Sequence, residues 1–281
     1  MLIRAGYEIQ FMADAPTPLI ALLSVRPELQ DRLRTPHRIL VEPHIPTDTY
    51  LDSFGNVCTR LTVPTSGVTL SCDFVIEDSG LVESQAAGAE QHAPDRLPPE
   101  VVQFLLGSRY CDTDRLSDIA WSLFGHIAPG RDRVLAIVDY VHAHLDYGYQ
   151  HARPTRTAWE GHDEKAGVCR DFAHLAIALC RCMNIPARYC SGYLGDIGVP
   201  PMDVAMDFHA WFEVFLGGAW HSFDARHRVP RIGRILMACG RDAADTALTT
   251  AFGPARLTSF KVHTDEVDAD SLRREPVRLA A

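Results

Sequence analysis

Over roughly the first 83 residues, apolar and polar positions alternate with a period of two, in short runs separated by turn residues. Residues 7–11, 39–42, 57–63 and 68–77 each read as a strand. In the last of these Leu70, Cys72, Phe74 and Ile76 share one face. Residues 52–56 (Asp-Ser-Phe-Gly-Asn) read as a turn between two such runs. Residues 84–98, rich in small, polar and proline residues, carry no period and read as a linker. Beyond them the apolar spacing changes to that of helices. Residues 99–106 can start one. A second spans 112–127, with Leu116, Ile119, Ala120, Leu123 and Phe124 on one face, and a third spans 131–145. Residues 148–165 read as loop. The apolar positions 172, 176, 179, 180 and 183 then mark a buried helix that starts near 167–169 and ends at Asn184, with Pro186 just beyond. A strand over 187–194 follows, and then two strand-like runs joined by Gly217-Gly218.

Composition narrows the classes. Hydrophobic residues make up 47% of the 281 and charged residues 22%, values of a globular chain. No apolar run approaches the ~18 residues of a spanning helix, so no membrane partner is expected. A formal charge of −9 argues against a nucleic-acid partner, which requires a basic face. The first residues lack the basic and apolar stretches of a secretory leader, so a cytoplasmic location is expected, with the eight cysteines held as thiols.

One of those thiols differs from the rest. Cys169 falls in the first turn of the buried helix, where the helix dipole favours thiolate and free N–H groups can hold an oxyanion. Downstream, a two-residue turn at Gly217-Gly218 sets Leu216 opposite Ala219 and Trp211 opposite Asp224. His209 and Asp224 then become diagonal same-face neighbours, about 7–8 Å apart at the backbone. A three-residue loop would put them on opposite faces. Cys169, His209 and Asp224 are thus candidates for a nucleophile, a proton carrier and the group that fixes its tautomer. Trp159, Val168 and Trp211 are candidates for contacts to substrate or oxyanion. No metal is expected: Cys180 and Cys182 point in different directions on a helix and so form no zinc site with Cys190. His174 reads as a packing histidine and Asp171 as a partner of the helix start. Arg241, Asp242 and Asp245 read as a structural ion-pair network.

Four blocks carry a resemblance: Gly-Val-Cys-Arg-Asp-Phe-Ala-His at 167–174, Asn-Ile-Pro-Ala-Arg-Tyr-Cys-Ser-Gly-Tyr-Leu at 184–194, His-Ala-Trp-Phe-Glu-Val at 209–214, and Trp220 with Phe-Asp-Ala-Arg at 223–226. In order and type they resemble the bacterial transglutaminase-like superfamily, as does Gly-Arg-Asp-Ala-Ala-Asp at 240–245. Asn184, His227 and Cys239 depart from the usual pattern without touching the three candidates.

The resemblance implies an α+β fold: an N-terminal β-sandwich or barrel-like domain (1–83), a linker (84–98), a papain-like catalytic domain with helices packed on an antiparallel sheet (99–270), and a tail (271–281). It also implies a Cys169-His209-Asp224 triad doing acyl-thioester chemistry on a peptide, protein or small amide substrate, without a cofactor. Hydrolysis as a peptidase or amidase is the expected outcome. Amine transfer as a transglutaminase and a non-catalytic peptide-binding or assembly module are the alternatives.

Overall fold

The computed structural model describes residues 1–84, 86–201, 205–268 and 272. The expected tail at 271–281, Leu272 apart, and the expected boundary at 270 lie outside the described residues. Six strands come first: β1 (Leu2–Ala13), β2 (Thr17–Ala21), β3 (Leu40–Glu42), β4 (Asp48–Leu51), β5 (Val57–Val63) and β6 (Val68–Glu77). Their alternation is the reason they form sheets. In β1, Ile3, Ala5, Tyr7, Ile9 and Phe11 are buried while Arg4, Glu8 and Gln10 face outward. The short strands β2 and β4 were not legible in the sequence.

Five helices and two further strands follow: α1 (Pro99–Val102), α2 (Ser117–Phe124), α3 (Arg131–His144), β7 (Asp146–Tyr147), α4 (Ala158–Glu164), β8 (Ala166–Gly167) and α5 (Cys169–Cys182). The segment expected to be loop therefore holds a helix. Thr157 and Glu160 close a capping box at its start, Glu160 N–H donating to Thr157 Oγ1 at 3.3 Å and Thr157 N–H to Glu160 Oε2 at 2.9 Å. The chain ends in β9 (Ala187–Tyr193), β10 (His209–Leu216), β11 (Ala219–Phe223), β12 (Ile235–Gly240), β13 (Thr249–Ala251) and β14 (Ala255–Val267). Among the described residues no helix is long and apolar enough to cross a membrane.

The strands assemble into sheets of order β14-β1-β6-β3, β13-β2-β5-β4 and β11-β10-β9-β12, with a small parallel pair β7-β8. The last two strands differ from the expected layout. Residues 249–267 fall within the expected catalytic domain, yet β13 pairs with β2, and β14 pairs with β1 from Leu2↔Val267 to Ala13↔Ala255. They cover edges of β1 and β2 that would otherwise expose unpaired backbone groups. The fold is α+β. One core lies between α5 and β10, where Phe172, Ala176 and Leu179 share a cluster with Phe212 and Val214. A second core joins the first two sheets to Tyr193, Phe208, Ile235 and Met237.

A single amide side chain links the β5 hairpin to β12. Asn56, fully buried, donates to the Cys239 carbonyl at 2.8 Å and to Asp52 Oδ2 at 2.9 Å. It accepts from Cys239 N–H and Arg26 Nη1, each at 2.8 Å. Asn56→Ala leaves the Cys239 amide and carbonyl buried without partners. Loss of those bonds should destabilise the protein by roughly 2–4 kcal/mol, read as a lower denaturant midpoint at unchanged slope.

Candidate active site

The site is built on the first turn of α5. Gly167 precedes it because a side chain there would meet Asp171 Cβ at 2.5 Å. Val168 is extended and caps the helix. Asp171, buried, accepts the Val168 N–H at 2.9 Å and Arg156 Nη1 at 3.1 Å, both on Oδ2. The expected role of Asp171 at the helix start is what the structure contains. This has a cost for another expectation: the Val168 N–H is committed to Asp171 and is not a free oxyanion donor. The N–H groups of Cys169 and Arg170 are the first of the helix and have no acceptor one turn back.

Cys169 is partly exposed, whereas six of the other seven cysteines are buried and all eight are free thiols. Its sulfur lies against the Ala210 backbone amide, at the start of β10 and next to His209. Burial pushes the thiol up to about 11. Asp207 and Asp224 add to the rise, and the Ala210 amide and Arg226 oppose it. Desolvation, the largest influence on the thiol, opposes the thiolate that the start of a helix favours.

The hairpin behaves as its turn dictates. Gly217 and Gly218 have φ of +59° and +85°, the doubly left-handed conformation of a tight two-residue hairpin turn. Leu216 pairs with Ala219 and Phe212 with Phe223. That register carries His209 and Asp224 to the same face. His209 Nε2 lies 2.7 Å from Asp224 Oδ2, and both residues are buried. Asp224 is held at both oxygens: Oδ1 accepts the Arg226 and His227 N–H groups at 3.0 and 3.1 Å, and Oδ2 also accepts Arg234 Nη2 at 3.1 Å. Burial alone would raise its pKa, but His209, Arg234 and His227 hold the carboxyl well below the usual range. Burial lowers the pKa of His209, against the pull of Asp224. The ring is then neutral at pH 7, with its proton on Nε2 toward Asp224 and Nδ1 left as the basic nitrogen.

Two cavities, of about 410 and 100 Å³, meet at Cys169, Asp207, Phe208 and His209. Of the other expected contacts, Trp211 is buried with its ring parallel to that of His209, centroids 6.5 Å apart. Trp159 lies elsewhere. It sits on α4 beneath Arg115 (4.1 Å) and stacked on His162, and it lines neither cavity. Its backbone N–H donates to Asp112 Oδ1 at 3.0 Å. His174 is a packing residue, fully buried, stacked on Tyr110 and accepting the Ala243 N–H at 3.1 Å. Arg241 pairs with Asp245, while Asp242 accepts the Tyr110 and Ala244 N–H groups. Sequence reasoning assigned no role to Arg226, although it closes the Phe-Asp-Ala-Arg block at 223–226, and missed Arg234, Asp207 and Glu83, which belong to no local pattern.

Among the described residues, His209, Asp224 and His227 form the one cluster that could hold a metal ion. Its atoms are already engaged, since His227 Nε2 meets Arg226 Nη1 at 2.8 Å and His227 Nδ1 meets Arg231 Nη1 at 3.2 Å. Three arginines around the cluster oppose a further cation.

The family model described as the transglutaminase-like superfamily matches residues 119–225. An uncharacterized protein of Mycobacterium leprae is 27% identical over 213 residues, 70% of this chain and 73% of that one. An uncharacterized protein of Mycobacterium tuberculosis is 31% identical over 199 residues, 64% of this chain; the match spans 62% of that protein, less than two thirds of its length. The crystal structure of a candidate cysteine protease from Cytophaga hutchinsonii superposes with a TM-score of 0.83 at 33% identity, covering 96% of this chain and 92% of that one.

Proposed function

Because this chain belongs to the transglutaminase-like superfamily, we propose that it is a cysteine-dependent acyl-transfer enzyme that hydrolyses an amide or peptide bond through a Cys169 thioester. The observation that carries the reading is the buried 2.7 Å His209–Asp224 pair beside a partly exposed thiol at a helix start. His209 Nδ1 takes the Cys169 proton as Sγ bonds to the acyl carbon and the carbonyl becomes an oxyanion. The Cys169 N–H stabilises that oxyanion, a contribution worth about 3 kcal/mol for one such donor. The proton passes from Nδ1 to the leaving nitrogen, the C–N bond breaks, and a thioester remains. Water then attacks with His209 again as base, the S–C bond breaks, and the proton returns to sulfur. Asp224 keeps Nε2 protonated and stabilises the transient imidazolium.

Hydrolysis is favoured over amine transfer because it needs only water at the thioester, whereas amine transfer also needs a site that keeps water out. Eight free thiols fit a reducing compartment.

The test is the pH dependence of iodoacetamide alkylation, followed at the Cys169 peptide by mass spectrometry. With a thiol pushed up to about 11, reactivity at pH 7 requires proton transfer to His209. Wild-type Cys169 should therefore react near neutrality, and His209→Ala should confine the reaction to alkaline pH. Equal profiles in the two proteins would overturn the proposal. Incubation with a peptide library, with and without a primary amine, then separates chain cleavage from amine incorporation; incorporation alone would favour a transglutaminase.

A further inference from the structure

Arg234 reaches the His209–Asp224 pair from the segment before β12. Its Nη2 donates at 3.1 Å to Asp224 Oδ2, the same oxygen that faces His209 Nε2. On its other side Nε lies 2.7 Å from Glu83 Oε1. The side chains of Arg234 and Asp224 are only 6% and 2% exposed. Glu83 lies between β6 and α1, so the connector between the sheets and the helices supplies it. That connector is anchored to the Arg234 segment: Glu83 N–H donates to the Arg231 carbonyl at 3.2 Å, and Arg231 N–H to Glu83 Oε2 at 3.4 Å.

We propose that Arg234 is a positioning residue for the His209–Asp224 pair, and that Glu83 sets how much of its charge that pair feels. The proposal rests on the assignment of His209 as proton carrier. The physical reason is a conflict within one contact. A second fixed donor on Oδ2 stops the carboxylate from swinging away from His209. The same donor is a buried cation, and it opposes the imidazolium that the reaction must form. A carboxylate behind the guanidinium relieves that opposition while keeping the hydrogen bond. The other charged or titratable groups around His209 include Asp224, Cys169, Asp207, Arg226 and His227, with Tyr147, Tyr149, Asp196 and Arg231 on the wall of the same cavity. Arg234 also lies over the Trp211 ring, at 5.0 Å, which keeps water from the pair.

Opposite signs follow for the two residues. Removing the Arg234 charge makes His209 easier to protonate, so the acid limb of Cys169 alkylation moves to higher pH. Removing the Glu83 charge leaves Arg234 unopposed and moves the limb to lower pH. Wild-type, Arg234→Met, Arg234→Lys and Glu83→Gln proteins are compared by the iodoacetamide assay. The expected result is a rise on the order of one pH unit in Arg234→Met, a fall in Glu83→Gln, and a limb near its wild-type position in Arg234→Lys, which keeps the charge. Shifts of the same sign in Arg234→Met and Glu83→Gln, or none in either, would overturn the proposal, since a merely structural loss has no reason to reverse sign. If Arg234→Met does not fold, Glu83→Gln alone decides the sign. A wild-type limb that persists in His209→Ala points instead to failure of the underlying assignment.

Discussion

Cys169→Ala should lower turnover of an amide substrate, identified by the peptide screen, by on the order of 10⁶-fold. The size follows from the role: both halves of the proposed reaction pass through the bond between Sγ and the acyl carbon, and no other thiol shares its setting. Cys182, the other partly exposed thiol, donates to the Thr113 carbonyl at 3.5 Å and lines neither cavity. Replacement by Ala removes one atom from a partly exposed residue, and the Asp171 cap that organises the turn remains. The unfolding midpoint should therefore stay close to wild type, with a change of about 0.5 kcal/mol or less. Single-turnover kinetics and a denaturant titration check both parts. Full turnover by the Ala protein would refute the nucleophile.

Asp224→Asn should reduce kcat by about 10⁴-fold, chiefly through the tautomer, with Arg234 Nη2 also losing its acceptor. Two backbone N–H groups, of Arg226 and His227, require an acceptor at the Oδ1 position. They orient an amide with its oxygen toward them and its NH₂ toward His209 and Arg234. The ring must then accept at Nε2 and carry its proton on Nδ1, facing the sulfur it should deprotonate. The fall should appear in kcat with little change in KM, because the carboxylate lines neither cavity. Steady-state kinetics of the pure variant at pH 7 checks this; a fall in kcat of less than tenfold would remove Asp224 from the mechanism.

The candidate site was legible because its geometry is local twice over. The start of α5 is written in Gly167, Asp171 and the apolar spacing that follows, and the left-handed conformation at Asn184 (φ 59°) closes the same helix. The hairpin register follows from two glycines that allow a tight turn, and with it the approach of His209 to Asp224. The groups that hold Asp224 were not legible for the converse reason. Glu83 and Arg234 meet only after the connector docks against the segment before β12, and no spacing rule links positions so far apart. α4 stood in plain view as Thr157-Ala-Trp-Glu160, but the polar residues around its cap outweighed that signal. β14 escaped for a different reason. Much of it faces solvent, so the apolar alternation that marks a half-buried strand is weak there.

The pairing of β1 with β14 has a consequence in time. β1 obtains β6 as a neighbour within the first 77 residues, but its other edge is completed by residues as far along as Val267. At about 5–20 residues per second of synthesis, that edge waits on the order of ten to forty seconds. Through that interval a long strand rich in Ile, Tyr and Phe presents unpaired backbone to anything that can add a strand. Refolding from denaturant, where the whole chain is present at once, removes the wait. Yields from expression and from refolding should therefore diverge most at high translation load, when neighbouring nascent chains expose the same edge together.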